Sequence, residues 1–174
     1  MSRVIGIAGP ARSGKDTAAD YLIEQHPQYH KASFADPIKD MLRVGLGLTD
    51  EQLYGDQKEI VDERYGCSPR HIMQTLGTEW GRTYICDDLW VRTMRARIEL
   101  APVIIPDIRF ENEAAFVREH GVLLHVTGRA RTIDSGHQSE WLIEPVGDDI
   151  IVTNDSTLEA FHKQLEVLKC YFNS

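Results

Sequence analysis

Apolar residues in this chain follow two patterns: short runs apolar at nearly every position, and longer segments where they recur every third or fourth residue. The first pattern suits strands buried on both faces, the second helices with one inward face. RVIGIA (Arg3 to Ala8) reads as a strand ending at a Gly-rich turn, and KDTAADYLIEQ after it as a helix, the first half of a βαβ unit. HKASFA (His30 to Ala35) is a weaker strand, and Pro37 suits the first turn of a helix running to about Gly45. From Thr49 to Leu100 the pattern is helical. Thr49 with Gln52 forms a capping box, Ser68 before Pro69 is an N-cap, and Asp87 is placed to cap LWVRTMRARIEL.

PVIIPD (Pro102 to Asp107) lies between helices and reads as a buried parallel strand. Pro106 has no amide donor, which predicts that the ladder stops at Ile105 and leaves Asp107 in the loop beyond. A helix, ENEAAFVREH, stopped by Gly121, a strand VLLHVT, an irregular polar stretch from Gly128 to about Gly147 and a strand DIIVT come next. The last helix starts with a Ser156 to Glu159 capping box and carries Leu158, Phe161, Leu165 and Leu168 on one face. Strands alternating with helices imply an α/β fold with a mostly parallel sheet of about five strands, helices on both faces. A length of 174 residues, 42% apolar, suits one domain.

Charge and cysteine usage narrow the function classes. A net charge of −8 argues against a general nucleic-acid or anionic-membrane surface, which needs clustered Lys and Arg. Any phosphate must be held locally. Cys67, Cys86 and Cys170 are odd in number and widely spaced, suggesting neither a disulfide framework nor a zinc site but free thiols in a reducing cytoplasm. MSRVIGIAG reaches its Gly-rich turn too soon for a signal peptide, and no apolar run approaches the roughly 20 residues of a membrane helix. A soluble, cytoplasmic protein is the expectation.

The sharpest chemical signal is GPARSGKDT, residues 9 to 17. In G-x-x-x-x-G-K-[ST] the glycines let backbone amides turn toward an anion, a helix N-terminus adds its dipole, and the lysine reaches the outer phosphates. Gly9, Gly14 and Lys15 satisfy that pattern, after a strand and before a helix. Asp16 does not: a carboxylate offers no hydroxyl to magnesium and repels a triphosphate unless a hydrated metal lies between. Small nucleotide kinases also lack a hydroxyl here and keep one at the next position, as Thr17 does, so the swap points toward them.

Three further constellations stand out. In SPRHIMQTLGTEWGR, Arg70, Gln74 and Gly77 share a helical face with Thr78 beside them, which is either a solvated polar face or a site meeting a phosphate and a base edge. Trp90, with Met94 and Ile98 at i+4 and i+8, reads as a core stripe or a base-stacking wall. In DIRFENE, Asp107 and Arg109 fall past the carboxyl end of a buried strand, where open parallel sheets place ligands; they are a local surface pair or a site for hydrated magnesium and phosphate. The stretch from Gly128 to Gly147 carries Arg129, Arg131, His137, Glu140 and Trp141 and reads as a lid whose arginines close over a phosphoryl group, or as a polar loop. His137 and Glu140 lack a third ligand, so no metal site is read there.

Together GPARSGKDT, SFADPIKDM, SPRHIMQTLGTEWGR, DLWVRTM, DIRFENEA, GHQSEWL and VTNDSTLE resemble the deoxynucleoside monophosphate kinases of tailed bacteriophages, over nearly the whole chain. The resemblance implies the P-loop NTPase fold of the nucleoside monophosphate kinase type, one domain over 1–174 with a helical substrate-binding region at about 36–100 and a lid at about 128–147. It implies transfer of the ATP γ-phosphate to a deoxynucleoside monophosphate, with Mg2+ carried by ATP, held through water near Asp16 and Asp107 rather than bound directly. Gly9, Arg12, Ser13, Gly14, Lys15, Asp16, Thr17 and, in the TND turn, Asn154 fall on the ATP side. Arg70, Gln74, Gly77, Thr78, Trp90, Asp107, Arg109 and Glu113 fall on the substrate side, while Lys15, Asp107, Arg109, Arg129 and Arg131 are the catalytic candidates. The resemblance also moves Trp90 from core stripe toward pocket wall. His71 stands where the resemblance would have a lysine. Two rivals remain, a dephospho-CoA kinase with Asp36 as base and a non-catalytic ATP-binding switch. Base preference, deoxy against ribo selectivity and dimerisation are not legible.

Overall fold

The computed structural model describes residues 3–128 and 143–172. The chain divides into two compact units, one made of the residues up to Ser33 together with those from Met94 onward, the other of Phe34–Thr93.

The first unit is built on a five-stranded, wholly parallel sheet: β1 (Val4–Ala8), β2 (His30–Lys31), β3 (Val103–Ile108), β4 (Gly121–Gly128) and β5 (Ile150–Asn154), in the order β2-β3-β1-β4-β5. Every residue of β1 is buried, as a central parallel strand requires. On one face Ile5 and Ile7 meet α1 (Lys15–Gln25) through Ala18, Ala19 and Leu22, and α7 (Leu158–Leu165) through Phe161 and Leu165. On the other lies α6 (Glu111–His120), approaching so closely that a Cβ on Gly6 would stand 2.7 Å from the Val117 methyls. Alternation along one strand thus brings a helix against each face.

Pro106 does not end β3. The Val103 amide donates to Arg3 of the β1 side, and the Ile104 carbonyl accepts from Ala32 of the β2 side. Alternation therefore turns position 106 toward β2, which has already ended at Lys31, so the missing donor costs no ladder bond. The pairing moves from Gly6↔Ile105 to Ala8↔Ile108, an extra residue on β3 that carries the chain past Asp107. Asp107 therefore sits inside the last turn of the strand rather than beyond it.

Other boundaries also shift. β2 spans two residues instead of six because the chain turns at Phe34. α7 is capped by Thr157, whose hydroxyl accepts from Ala160, and not by Ser156; Leu158 is exposed while Phe161, Leu165 and Leu168 are buried. A single turn of 3-10 helix and α8 (Lys169–Phe172) are the last of the described elements. α6 does stop at Gly121, whose own backbone is extended and which begins β4; a Cβ there would strike the Val4 carbonyl.

At the edge strand, the Gln164 carboxamide accepts from the Thr153 amide and donates to its carbonyl, occupying groups of β5 that would otherwise invite another strand. Beneath β5, Asp149 joins elements far apart in sequence. Its carboxylate receives Arg118 at 2.8 Å, the Val146 amide at 3.0 Å and His125 at 3.0 Å. Burial alone would raise the Asp149 pKa, but the hydrogen bonds from Arg118, Val146 and His125 outweigh it and hold the group at about 2.

The second unit is helical: α2 (Asp36–Leu46), α3 (Asp50–Leu53), a 3-10 turn (Asp56–Glu59), α4 (Pro69–Gln74), an eleven-residue π-helix (Thr75–Ile85) and the start of α5 (Leu89–Ile98). The Thr49–Gln52 capping box and the Ser68 cap form as the sequence predicts. α5 starts at Leu89 as predicted, but the Asp88 carbonyl takes its first helical bond, from Arg92, so Asp88 rather than Asp87 precedes the helix.

Candidate active site

All five strands run the same way, so Ala8, Lys31, Ile108, Gly128 and Asn154 mark one edge of the sheet, the carboxyl edge, where open α/β sheets bind ligands. The loop from Gly9 to Gly14 leaves that edge at the central strand. It turns through positive φ at Gly9 (140°), Arg12 (64°) and Gly14 (106°). At Gly9 any side chain would also strike the Val126 carbonyl, and at Gly14 it would meet the Asn154 amide at 2.5 Å. These two glycines are required by space as well as by dihedral.

The loop delivers the chain into α1 with no side-chain cap, and the first helical bond runs from Ala18 N–H to Gly14 O. First-turn amides and the positive dipole end are thus presented to an anion. Ser13 is fully buried and its hydroxyl has no hydrogen-bond partner among the described residues, an orphan polar atom that a phosphate oxygen would satisfy. Asn154 donates to the Ser13 carbonyl at 2.8 Å, pinning the loop from β5, and Lys15 Nζ donates to the Pro10 carbonyl at 2.7 Å across the loop. This cradle fits a polyphosphate.

Asp16, 80% exposed at the side chain, lies 3.0 Å from Lys31 Nζ, and Asp20 lies 2.9 Å from the same nitrogen. Burial would lower the Lys31 pKa, but hydrogen bonds to Asp20 and Asp16 outweigh it and raise the pKa above the usual lysine value. Thr17 is exposed in the same turn. Across the edge, Ser33 donates to Asp107 Oδ2, which fixes the orientation of that carboxylate. Glu113 is buried and accepts from the amides of Arg109 (2.9 Å) and Phe110 (3.3 Å), capping α6 and fixing the turn that carries Arg109.

Among the described residues no group of three or more His, Cys, Asp or Glu gathers to hold a metal ion. The donors near the loop, Asp16 and Asp107, are each engaged by a protein partner, a set that fits a hydrated Mg2+ arriving with its nucleotide better than a resident ion.

In the helical unit, Arg70 Nε pairs with Glu59, and α4 gives way to π-helix just after Gln74. The α-helical face shared by Arg70, Gln74 and Gly77 is therefore broken at Thr75, because the wider π turn rotates the residues after it. Gly77 is buried and Thr78 half-buried. Trp90 is 4% exposed; its indole N–H donates to the Gly77 carbonyl at 2.7 Å, and a Cβ on Gly81 would touch its ring at 2.5 Å. The indole thus packs against the π-helix at Gly77 and Gly81. Asp36 opens α2, where a carboxylate complements the helix N-terminus. Arg129, Arg131, His137, Glu140, Trp141 and most of the expected lid lie outside the described residues.

Sequence reasoning missed Ser33, Lys31 and Arg82, a buried arginine that donates to the Asp87 carbonyl at 2.9 Å. Ser33 and Lys31 carry no local signal. The π-helix does leave one: glycines at 77 and 81, four positions apart, ahead of a tryptophan.

Comparison with known proteins agrees with the loop. The family model described as deoxynucleotide monophosphate kinase matches residues 3–65 and 49–165. A protein of Acanthamoeba polyphaga mimivirus, provisionally named a deoxynucleotide monophosphate kinase, is 36% identical over 98% of this chain and 97% of its own. The deoxynucleoside-5'-monophosphate kinase of Escherichia phage T5 is 26% identical over 80% of this chain and 84% of its own. A solved sugar kinase from a Janibacter species covers 98% of this chain and 96% of its own at a TM-score of 0.47 and 14% identity, too slight a likeness to bear on function. With family matches spanning nearly all of its length and a phosphate cradle built at the carboxyl edge of its sheet, the chain belongs to the deoxynucleotide monophosphate kinase family.

Proposed function

We propose that this protein transfers the γ-phosphoryl group of ATP to a deoxynucleoside monophosphate, giving the diphosphate and ADP. The observation that carries the reading is the phosphate cradle: an uncapped helix N-terminus, two space-restricted glycines and the orphan Ser13 hydroxyl around one loop. Family membership supplies the class of acceptor.

Phosphoryl transfer needs alignment and charge neutralisation more than covalent help from the protein. The loop amides, Ser13 and Lys15 hold the β- and γ-phosphates, and Asn154 keeps the loop in shape through the Ser13 carbonyl. When bound with the nucleotide, Mg2+ would supply further charge neutralisation to the ATP phosphates. Arg109 grips the acceptor phosphate, its turn held by the Glu113 cap, while Ser33 orients Asp107, whose carboxylate would meet a substrate hydroxyl or hydrated Mg2+. Arg70, Gln74 and Thr78 serve the acceptor side, with Trp90 supporting them through Gly77. No general base is required, since a nucleoside monophosphate, with a second pKa of about 6, is mostly dianionic at neutral pH. No helix among the described residues is long and apolar enough to cross a membrane, and we place the enzyme in the cytoplasm, the host's if the chain is phage-encoded.

The test is ADP release from Mg-ATP with each of the four deoxynucleoside monophosphates, their ribo forms and dephospho-CoA. Turnover on one or more deoxynucleotides is expected. Turnover on dephospho-CoA alone, or ATP binding without turnover on any acceptor, would contradict it.

A further inference from the structure

The loop departs from the usual phosphate-binding pattern at Asp16, and the structure offers a reason the departure is tolerated. We propose that Lys31 is a positioning residue whose ammonium neutralises Asp16, so that a carboxylate can stand in the phosphate loop beside a bound polyphosphate; the role rests on the ATP-binding reading above.

Asp16 comes directly after Lys15, in the first turn of α1, at the position where the common pattern places a hydroxyl facing the metal side of the phosphates. Its carboxylate is exposed, not folded into the core, so its charge is felt at the mouth of the anion site. Asp20 lies one turn further along the same face, and like charges at that spacing repel. Left alone, the pair would oppose both helix and ligand.

Lys31 is the last residue of β2, in register with Ile104 of β3 and so fixed by the sheet and not by a flexible loop. From there its ammonium reaches Asp16 at 3.0 Å and Asp20 at 2.9 Å. Asp20 tethers the ammonium, and Asp16 receives its charge. Exposed ion pairs contribute little to folding. A merely structural pair would therefore be nearly dispensable, whereas a compensating charge beside a polyanion would be felt in nucleotide affinity.

The test is ATP binding by the full chain, measured by isothermal titration calorimetry in excess EDTA so that no divalent cation masks the carboxylate. Lys31→Met, which keeps the aliphatic stem, should weaken ATP binding about tenfold, equal to ~1.4 kcal/mol. Adding Asp16→Ser to Lys31→Met should restore affinity to within about threefold of wild type, because the uncompensated charge is gone. Thermal unfolding of each variant confirms that the comparison is between folded proteins, and Lys31→Arg, which keeps the charge, should bind ATP like wild type. Binding by Lys31→Met within about twofold of wild type, or a loss that Asp16→Ser does not reverse, overturns the proposal. A wild-type chain that binds ATP neither in EDTA nor with Mg2+ would instead overturn the phosphate-loop reading itself.

Discussion

The sheet unit and the helical unit hold their functional groups in different ways. In the sheet unit the phosphate cradle is made of backbone: positive φ at Gly9, Arg12 and Gly14, an uncapped helix start, and one buried hydroxyl. In the helical unit side chains hold one another or a backbone carbonyl: Arg70 on Glu59, Arg82 on the Asp87 carbonyl, Trp90 on the Gly77 carbonyl, and Arg64 and Gln52 on Asp62. The first arrangement is preorganised for an anion. In the second, the guanidinium of Arg70 is already paired with Glu59.

The sharpest way to break this comparison is to remove Trp90, the interior support of the π-helix. Trp90→Ala should cost about 3–5 kcal/mol of stability in chemical denaturation, as loss of a buried aromatic does. Trp90→Phe, which keeps most of the volume but leaves the Gly77 carbonyl without its donor, should cost about 1–2 kcal/mol and raise KM for the acceptor more than for ATP. Equal effects on the two KM values would dissolve the distinction between the units.

Next in size is charge at the cradle and at the acceptor phosphate. Lys15→Ala or Arg109→Ala should each lower turnover roughly 10²- to 10³-fold, about 3 to 4 kcal/mol, in a steady-state kinase assay. Near-normal turnover by Arg109→Ala would remove it from the acceptor phosphate. Gly14→Ala comes after. A methyl placed at φ 106° and 2.5 Å from Asn154 should cost about 1–3 kcal/mol and weaken ATP binding, leaving the acceptor affinity of the folded fraction unchanged.

The smallest effect concerns Asp149. Because its folded-state pKa, about 2, lies below the ordinary value of 3.8, its carboxylate stabilises the fold above the ordinary carboxylate range and ceases to as pH falls through about 2. Asp149→Asn should therefore be less stable than wild type at neutral pH, with the gap closing as pH falls from about 4. A gap constant down to pH about 2 would mean that the charge on Asp149 does not matter.

The two regions also differ in how much the sequence reveals. The cradle is contiguous: strand, glycines, lysine and helix occur within about twenty residues, so GPARSGKDT announces its shape as well as its chemistry. Helix caps such as Thr49–Gln52 are equally local and equally legible. The end of β3 is not legible at Pro106, because the missing donor matters only if a neighbour strand stands there to receive it, and β2 has already ended. Ser33 meets Asp107 across 74 positions of sequence, and Lys31 meets Asp16 across a helix; neither leaves a periodic trace. Trp90 is legible as a buried residue: its i+4 and i+8 neighbours mark a core stripe, and its ring is buried.

The most direct test of the central claim tracks the phosphorus atom itself. Wild-type protein given ATP labelled at the γ-phosphate and a deoxynucleoside monophosphate should pass the label into the deoxynucleoside diphosphate, and Lys15→Ala should not at the same enzyme concentration. Label released only as inorganic phosphate, or retained in ATP with every deoxynucleoside monophosphate, would contradict the account.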